Sequence, residues 1–146
     1  MRYGSRNVRG RRAAAQAAAL IFAFALPPAA QSGVIPLPAE AVPGPGFFSV
    51  DRTTVLQVPR GDRDAGIAAR YLVDLWSRTN DLTLPVIIGS AKPGAGAHAI
   101  AFARRGGLGS EAYEIRVTPQ HIMVSASSAA GLFYGAVTLW QLLPRG

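Results

Sequence analysis

The sequence predicts an α+β fold, a two-layer α/β sandwich in which a mixed, largely antiparallel sheet carries two main helices packed on one face. Three observations support this prediction. Short β-branched runs recur between polar turns after residue 46. One amphipathic segment and one uncharged segment have their apolar residues at helical spacing. The 146 residues, 49% of them hydrophobic, suffice for one domain with a packed core.

Residues 1–32 are predicted to be a secretory signal peptide that takes no part in the fold. Five arginines within the first twelve positions precede an uncharged, mostly apolar run at 13–26 that ends in two prolines. This order is typical of such signals, and the run is short for a membrane span. We therefore expect export to the periplasm or the medium, with no membrane attachment after cleavage. A twin-arginine route and an N-terminal helix of the domain are the alternatives.

The charge of the chain does not indicate a nucleic-acid partner. The formal net charge is +7, but without the five arginines of the predicted signal ten basic residues face eight acidic ones. A nucleic-acid binder is expected to keep its basic residues clustered in the folded part. The chain has no cysteine, which excludes disulfides, thiolate metal sites and a cysteine nucleophile.

An extended lead-in is predicted at residues 33–46, because its prolines fix the backbone and remove hydrogen-bond donors. The folded domain then covers residues 47–146. It is expected to begin with two short strands, FFSV at 47–50 and TTVLQV at 53–58, separated by a turn at Asp51 and Arg52.

The clearest amphipathic helix is predicted at residues 61–80. Asp62 and Asp64 suit the N-terminal end of its dipole and Arg78 suits the C-terminal end. Its large apolar residues share one side, which we expect to be buried: Ile67, Tyr71, Leu72, Leu75 and Trp76.

Four more strands are predicted after this helix. LPVIIG at 84–89 and IAFA at 100–103 are apolar and flank a glycine-rich loop. EAYEIRV at 111–117 alternates apolar and charged residues, which is typical of a half-exposed strand. After a turn at 118–121, IMVSA at 122–126 is expected to return antiparallel as a hairpin.

The segment from Ser127 to Leu143 has no charged residue and is predicted to be a helix buried on most of its circumference. Ser127 or Ser128 can cap it, and Gly131 and Gly135 leave a flat strip for close packing. A small sheet covers only one side of such a helix, and each large apolar residue left in water costs about 1.5–3 kcal/mol. We therefore expect the other side to be an interface, with the candidate residues Leu132, Leu139, Trp140 and Leu143.

A longer motif spans residues 111–143. It reads E-x-Y-x-I-x-V, a turn, I-x-V-x-A, and then A-G-L-F-Y-G-A-x-T-L-x-Q-L-L. Together with VIPLPAEAVPGPGFFSV at the start, it resembles the N-terminal domain of the family 20 glycoside hydrolases, the β-N-acetylhexosaminidases. Family 84 β-N-acetylglucosaminidases and α-glucuronidases carry related domains, so the parent family stays open between these.

The resemblance implies a non-catalytic domain that precedes a (β/α)8 barrel in the same chain. The candidate interface would then face that barrel, and the N-acetylhexosamine glycan substrate would be reached through the barrel only. Family 20 enzymes use an adjacent Asp-Glu pair on the barrel, and none of the eight acidic residues here forms such a dipeptide. We carry over no catalytic residue, so the chain alone, truncated before the barrel, is expected to be inactive.

The carboxylates of this chain also have simple structural explanations. Asp62 with Asp64 could begin a metal site, but two acids at a first helical turn are typical helix-end charges. Glu111 and Glu114 could form an acid/base pair, but their odd separation on a strand turns them to opposite faces. An edge or turn role is expected for both.

Neither a metal nor another cofactor is expected at the remaining polar residues. His98 and His121 lie in predicted loops without acidic neighbours in sequence, whereas zinc needs further ligands at workable spacing. The loop at 89–96 lacks the residue order of a phosphate-binding loop. Arg104 and Arg105 could touch a polyanion, but exposed arginines at a turn usually serve solubility.

Three functions of different classes follow from these residues. The first is a non-catalytic scaffold domain of a secreted β-N-acetylhexosaminidase. The second is a free-standing carbohydrate-binding module, and the third is a protein-interaction module that docks a separately encoded barrel.

Overall fold

The computed structural model describes residues 34–35, 37–89 and 98–143. The predicted signal peptide, most of the glycine-rich loop and the last three residues lie outside the described residues. The elements occur in the following order: β1 (Val55–Pro59), α1 (Arg63–Asn80), β2 (Val86–Gly89), β3 (Ala99–Arg104), β4 (Tyr113–Val117), β5 (His121–Ala126) and α2 (Ala129–Leu142). The bounds of α1 and of the last three strands lie within two residues of those predicted.

The five strands form one mixed sheet in the order β2-β1-β3-β5-β4. Only β4 and β5 pair antiparallel, as the predicted hairpin, while β1 with β2, β1 with β3 and β3 with β5 are parallel. The mixed sheet is thus confirmed, but the expectation of mainly antiparallel pairing is wrong. The cause is connectivity: α1 carries the chain back to the end where β1 began, so β2 runs in the same direction as β1. The predicted FFSV strand does not form.

Both helices pack on one face of the sheet, as predicted. The core between the layers contains alternate residues of the central strands, such as Leu56, Ile100 and Val124, and the inner sides of α1 and α2. This alternation follows from the two-residue period of a strand. No helix in the described part of the chain is long and apolar enough to cross a membrane.

Helix α1 packs on the sheet through small residues. Asp62 caps it by accepting a hydrogen bond from the backbone N–H of Ala65 at 3.0 Å. Its buried positions are Ala65, Gly66, Ala68, Ala69, Leu72 and Trp76. Ile67 and Tyr71, which were expected in the core, are 48% and 38% exposed. The predicted buried side was therefore wrong in part, because the alanines approach the sheet closely and turn these larger residues outward.

Helix α2 lies against β4 and β5 through its two glycines. A Cβ atom at Gly131 would overlap the carbonyl oxygen of Ala112, and one at Gly135 would lie 2.6 Å from Cγ1 of Val124. This confirms the predicted strip of close approach. Ser128 caps the helix by accepting a hydrogen bond from the N–H of Gly131 at 3.0 Å.

Three hydroxyl groups link the elements at the edge of the core. The hydroxyls of Tyr113 on β4 and Thr138 on α2 are 2.6 Å apart. At the ends of the two helices, Nε1 of Trp140 donates to Oγ1 of Thr79 at 3.1 Å. Hydrogen bonds of this kind satisfy polar groups that packing removes from water.

Candidate docking surface

The outer side of the two helices carries an apolar patch that the sheet does not cover. Ile67 and Tyr71 of α1 and Phe133 and Tyr134 of α2 form it, and we call these four residues the helix-face patch. The rings of Tyr71 and Phe133 have centroids 4.8 Å apart, and those of Phe133 and Tyr134 are 6.0 Å apart. Tyr134 is 42% exposed, although its helix is predicted to be buried on most of its circumference. Contiguous apolar surface of this kind often marks a contact with another protein or domain.

A groove of about 340 Å³ runs between α1 and α2 beside this patch. Alanines of both helices, including Ala68 and Ala129, line it together with Ile67, Phe133 and Tyr134. Small residues between large ones leave a depression into which an apolar side chain of a neighbouring domain can insert. Such a pocket flanked by aromatic side chains is a common anchor point in interfaces.

The interface residues predicted from the sequence lie elsewhere on α2. Leu132 is fully buried and Leu139 is 3% exposed, and both belong to the core of this domain. They are therefore unavailable to a neighbour in this conformation, which corrects that part of the prediction. Trp140 and Leu143 are partly buried and pack against the core. The cause is that α2 is apolar on every side, so its sequence does not reveal which side faces the sheet.

An ion-pair network includes Asp64, which lines the groove. Arg104, the last residue of β3, contacts Asp62 through Nε and Nη2 at 2.7 and 3.0 Å, and Nη2 also reaches Asp64 at 2.8 Å. Hydrogen bonds from Arg104 lower the pKa of the Asp62 carboxyl below its usual value, and Asp62 in turn raises the pKa of Arg104. Nη1 of Arg104 also donates to the backbone oxygen of Ser127 at 3.3 Å. Asp62 and Asp64 thus serve as helix-end charges with a cationic partner.

The other two candidate acids are not brought together as a pair. Glu111 is exposed in the turn before β4, while Glu114 lies in β4 and forms ion pairs with Arg105 and Arg116. The prediction that the two residues occupy opposite faces of one strand is wrong, because the strand begins only at Tyr113. Glu111 in a turn and Glu114 on the edge strand β4 have the edge or turn positions that were expected for residues without a catalytic role.

The two histidines occupy different elements. His98 stacks on Phe48 with ring centroids 5.3 Å apart, just before β3. His121 is the first residue of β5 rather than part of the turn, and its Nδ1 lies 3.2 Å from Oγ1 of Thr118. Within residues 34–35, 37–89 and 98–143, no group of three or more His, Asp or Glu side chains is placed to hold a metal ion.

Two long-range polar contacts are not predicted by the sequence. The sequence predicts Arg104 to be an exposed turn residue, and it places Gln141 only within the motif that ends at Leu143. Gln141 bonds both backbone groups of Ile35, accepting from its N–H at 2.7 Å and donating to its C=O at 3.1 Å. A polar amide in the last turn of an otherwise apolar helix was the available signal for such a partner.

Comparison with known proteins identifies the domain. Residues 31–146 match the profile described as glycosyl hydrolase family 20, domain 2. The chain is 32% identical over 111 residues to a beta-hexosaminidase of Porphyromonas gingivalis, a match that covers 76% of this chain and 14% of that protein.

Solved structures agree in fold. The GH20 β-N-acetylhexosaminidase of Streptomyces coelicolor is similar with a TM-score of 0.65 and 35% identity, and the enzyme of Streptomyces plicatus with 0.65 and 36%. Each match covers 76% of this chain and 21% of the longer one, so the chain spans about a fifth of the length of these relatives. The chain therefore belongs to glycosyl hydrolase family 20, and it corresponds to the N-terminal, non-catalytic domain of such an enzyme.

Proposed function

We propose that this chain is the scaffold domain of an exported β-N-acetylhexosaminidase, docked through its helix-face patch on a catalytic (β/α)8 barrel in the same polypeptide. The observation that carries the proposal is the apolar cluster of exposed Ile67, Tyr71 and Tyr134 with half-buried Phe133, beside the groove between α1 and α2. Removing apolar surface from water stabilises the docked state by a free energy of about 25 cal/mol per Å². The neighbour would thus stabilise both domains.

The distribution of charged groups supports a scaffold rather than a catalytic role. Asp64, which lines the groove, and the capping residue Asp62 are both bound by Arg104, and Glu114 is bound by two arginines. A general acid or base needs a carboxyl that is free to exchange its proton near neutral pH, whereas the pKa of Asp62 is lowered. The substrate, a glycan with a terminal N-acetylhexosamine, would bind to the barrel alone.

The order of residues 1–32 supports export of the parent enzyme. Its five arginines followed by an apolar run suit the bacterial secretion machinery, and removal of this segment would leave the matched region 31–146 nearly intact. The parent would act in the periplasm or the medium, where glycans with terminal N-acetylhexosamine are accessible. Sequencing the N-terminus of the secreted protein tests this part, and a mature protein that begins at Met1 would contradict it.

The docking proposal is tested by binding in trans. The chain is titrated with the separately produced catalytic region of the Streptomyces coelicolor relative, and the dissociation constant is measured by calorimetry. We expect the double variant I67S/Y71S to bind at least about tenfold more weakly, because it removes the exposed apolar side chains that α1 contributes to the helix-face patch. The matched control is I88S, since Ile88 on β2 is 63% exposed but does not line the groove.

Two outcomes would contradict docking through the helix-face patch. One is the absence of binding by the unmodified chain, and the other is equal affinity of the I67S/Y71S variant and the I88S control. A free-standing carbohydrate-binding module is tested in the same instrument with chitobiose. Heat of binding at millimolar sugar would favour that second function.

A further inference from the structure

We propose that residues 34–35 and 37–47 form a strap that is pinned across one end of the domain and offers the catalytic domain a second apolar contact. This inference rests on the proposed function, but it concerns a different surface from the helix-face patch. We call this segment the strap. It contains neither helix nor strand.

The first pin of the strap is the side chain of Gln141 in the last turn of α2. Its amide accepts a hydrogen bond from the N–H of Ile35 at 2.7 Å and donates one to the carbonyl of the same residue at 3.1 Å. A side-chain amide that bonds both backbone groups of one residue takes the place of the two hydrogen bonds that a neighbouring strand would supply. Val34, next to Ile35, is 2% exposed. The beginning of the strap is therefore held at the end of α2.

The second pin lies where the strap reaches the sheet. Gly46 has a φ of 82°, and a Cβ atom there would lie 3.0 Å from Cγ of Pro119 in the β4–β5 turn. A glycine allows both this backbone conformation and this close approach. Two residues later, Phe48 stacks on His98 just before β3. The strap thus crosses the end of the sandwich at which β3 and β5 begin and α2 ends.

The large apolar side chains of the strap are exposed to solvent. Four apolar residues of the strap are each 79% exposed: Ile35, Leu37, Val42 and Phe47. Glu40 is the only charged residue among positions 34–47. A free segment of this composition could collapse onto itself, but a segment fixed at both ends holds its apolar side chains outward. Apolar surface displayed in this way fits a partner that is itself apolar.

The position of the last helix identifies the partner. Gln141, which bonds Ile35 of the strap, is followed in sequence by Leu142, which is 44% exposed. The end of α2, where the described chain leaves the domain, therefore lies beside the strap. The relatives of this domain are about five times as long as the region they share with it. The polypeptide that follows α2 in such enzymes emerges next to these apolar side chains. We therefore assign the strap to the catalytic domain of the same chain, rather than to a second copy.

The test uses the full chain and the separately produced catalytic region of the Streptomyces coelicolor relative. The strap variant L37S/V42S/F47S should bind at least about tenfold more weakly than the unmodified chain. Its melting temperature should be unchanged, because the replaced side chains are exposed. The I88S variant is the control for loss of an exposed apolar residue elsewhere.

A second variant tests the pin itself. Q141L keeps the size of the side chain but removes both hydrogen bonds to Ile35. Amide hydrogen exchange at Ile35 should become faster, while exchange in β3 and β5 should stay slow. Binding to the catalytic region should weaken in the same direction as in the strap variant. Unchanged exchange in the strap would overturn the role of Gln141.

The outcomes separate this inference from the proposed function. Equal affinity of the strap variant and the I88S control, together with weaker binding by I67S/Y71S, overturns the strap as a contact and leaves docking through the helix-face patch intact. No binding by the unmodified chain contradicts both. A concentration-dependent dimer in sedimentation that disappears in the strap variant would assign the strap to a second copy, and so overturns the inference.

Discussion

Arg104 binds Asp62 with two hydrogen bonds across 42 residues of sequence. Asp62 caps α1 at the same time, and Arg104 also bonds the backbone just before the cap of α2. A single guanidinium therefore joins the end of β3 to the starts of both helices. The planar group of arginine suits this task because it donates in several directions at once.

Replacing Arg104 by methionine should lower the free energy of unfolding by roughly 1 kcal/mol, since the network is partly exposed and water screens it. Urea denaturation measures the effect. The control is R78M, because Arg78 forms only an exposed pair with Asp74 within α1. An R104M variant as stable as R78M would show that the network does not contribute to stability.

The lowered pKa of Asp62 predicts a loss of stability in acid. The carboxyl binds a proton less readily in the folded state than in the unfolded state, where its pKa is near 3.8. Its contribution is complete above that value and disappears as the pH falls through the lower folded pKa. The asparagine variant D62N keeps a capping side chain but does not titrate. Urea midpoints measured from about pH 5 to pH 2 should therefore fall less steeply in D62N than in the unmodified chain.

The two glycines of α2 should tolerate no side chain. Alanine normally favours a helix by about 1 kcal/mol over glycine. At Gly135, however, a Cβ atom would lie 2.6 Å from Val124, so G135A should destabilise the domain by about 1–3 kcal/mol. Gly66 of α1 is the matched control, because a Cβ atom there would meet only the flexible end of Arg70 at 3.4 Å. Thermal melting of G135A and G66A should give shifts of opposite sign, and similar shifts would refute the close approach.

The hydrogen bond between Tyr113 and Thr138 should be worth about 1 kcal/mol. Y113F and T138V each remove one partner, and the double variant removes both. If the two hydroxyls act on each other, the effects of the single variants on urea unfolding should sum to more than the effect of the double variant. Strict additivity would show that each hydroxyl is satisfied independently.

The chain alone should not hydrolyse p-nitrophenyl-N-acetylglucosaminide. None of its acidic residues forms the adjacent Asp-Glu pair that the family uses. A colorimetric assay on purified protein measures turnover, with the Streptomyces coelicolor enzyme as positive control. Turnover that disappears in E111Q or E114Q would overturn this prediction.

Much of the fold followed from local signals in the sequence. The cap at Ser128, the strip at Gly131 and Gly135 and the β4–β5 hairpin each depend on residues close together in the chain. Strand order depends instead on how the strands are connected. The parallel pairing of β1 with β3 joins segments some forty residues apart, and the alternation of apolar residues within a strand does not indicate which other strand it pairs with.

The candidate surface was harder to predict for a related reason. Leu132 and Tyr134 lie on one uniformly apolar helix, and only packing against the sheet decides that the leucine is buried while the tyrosine is exposed. In α1, the alanines rather than Ile67 and Tyr71 turned out to face the strands. Helical spacing identified an apolar side, but it did not resolve a rotation of the helix by a fraction of a turn.

The close approach of α2 to the sheet also limits how the length of this segment can vary. A helix turns by about 100° with each residue, so one inserted or deleted residue between Gly131 and Gly135 would bring a side chain to a place where even a Cβ atom does not fit. Insertions and deletions among homologous sequences should therefore collect in the loops and spare this helix.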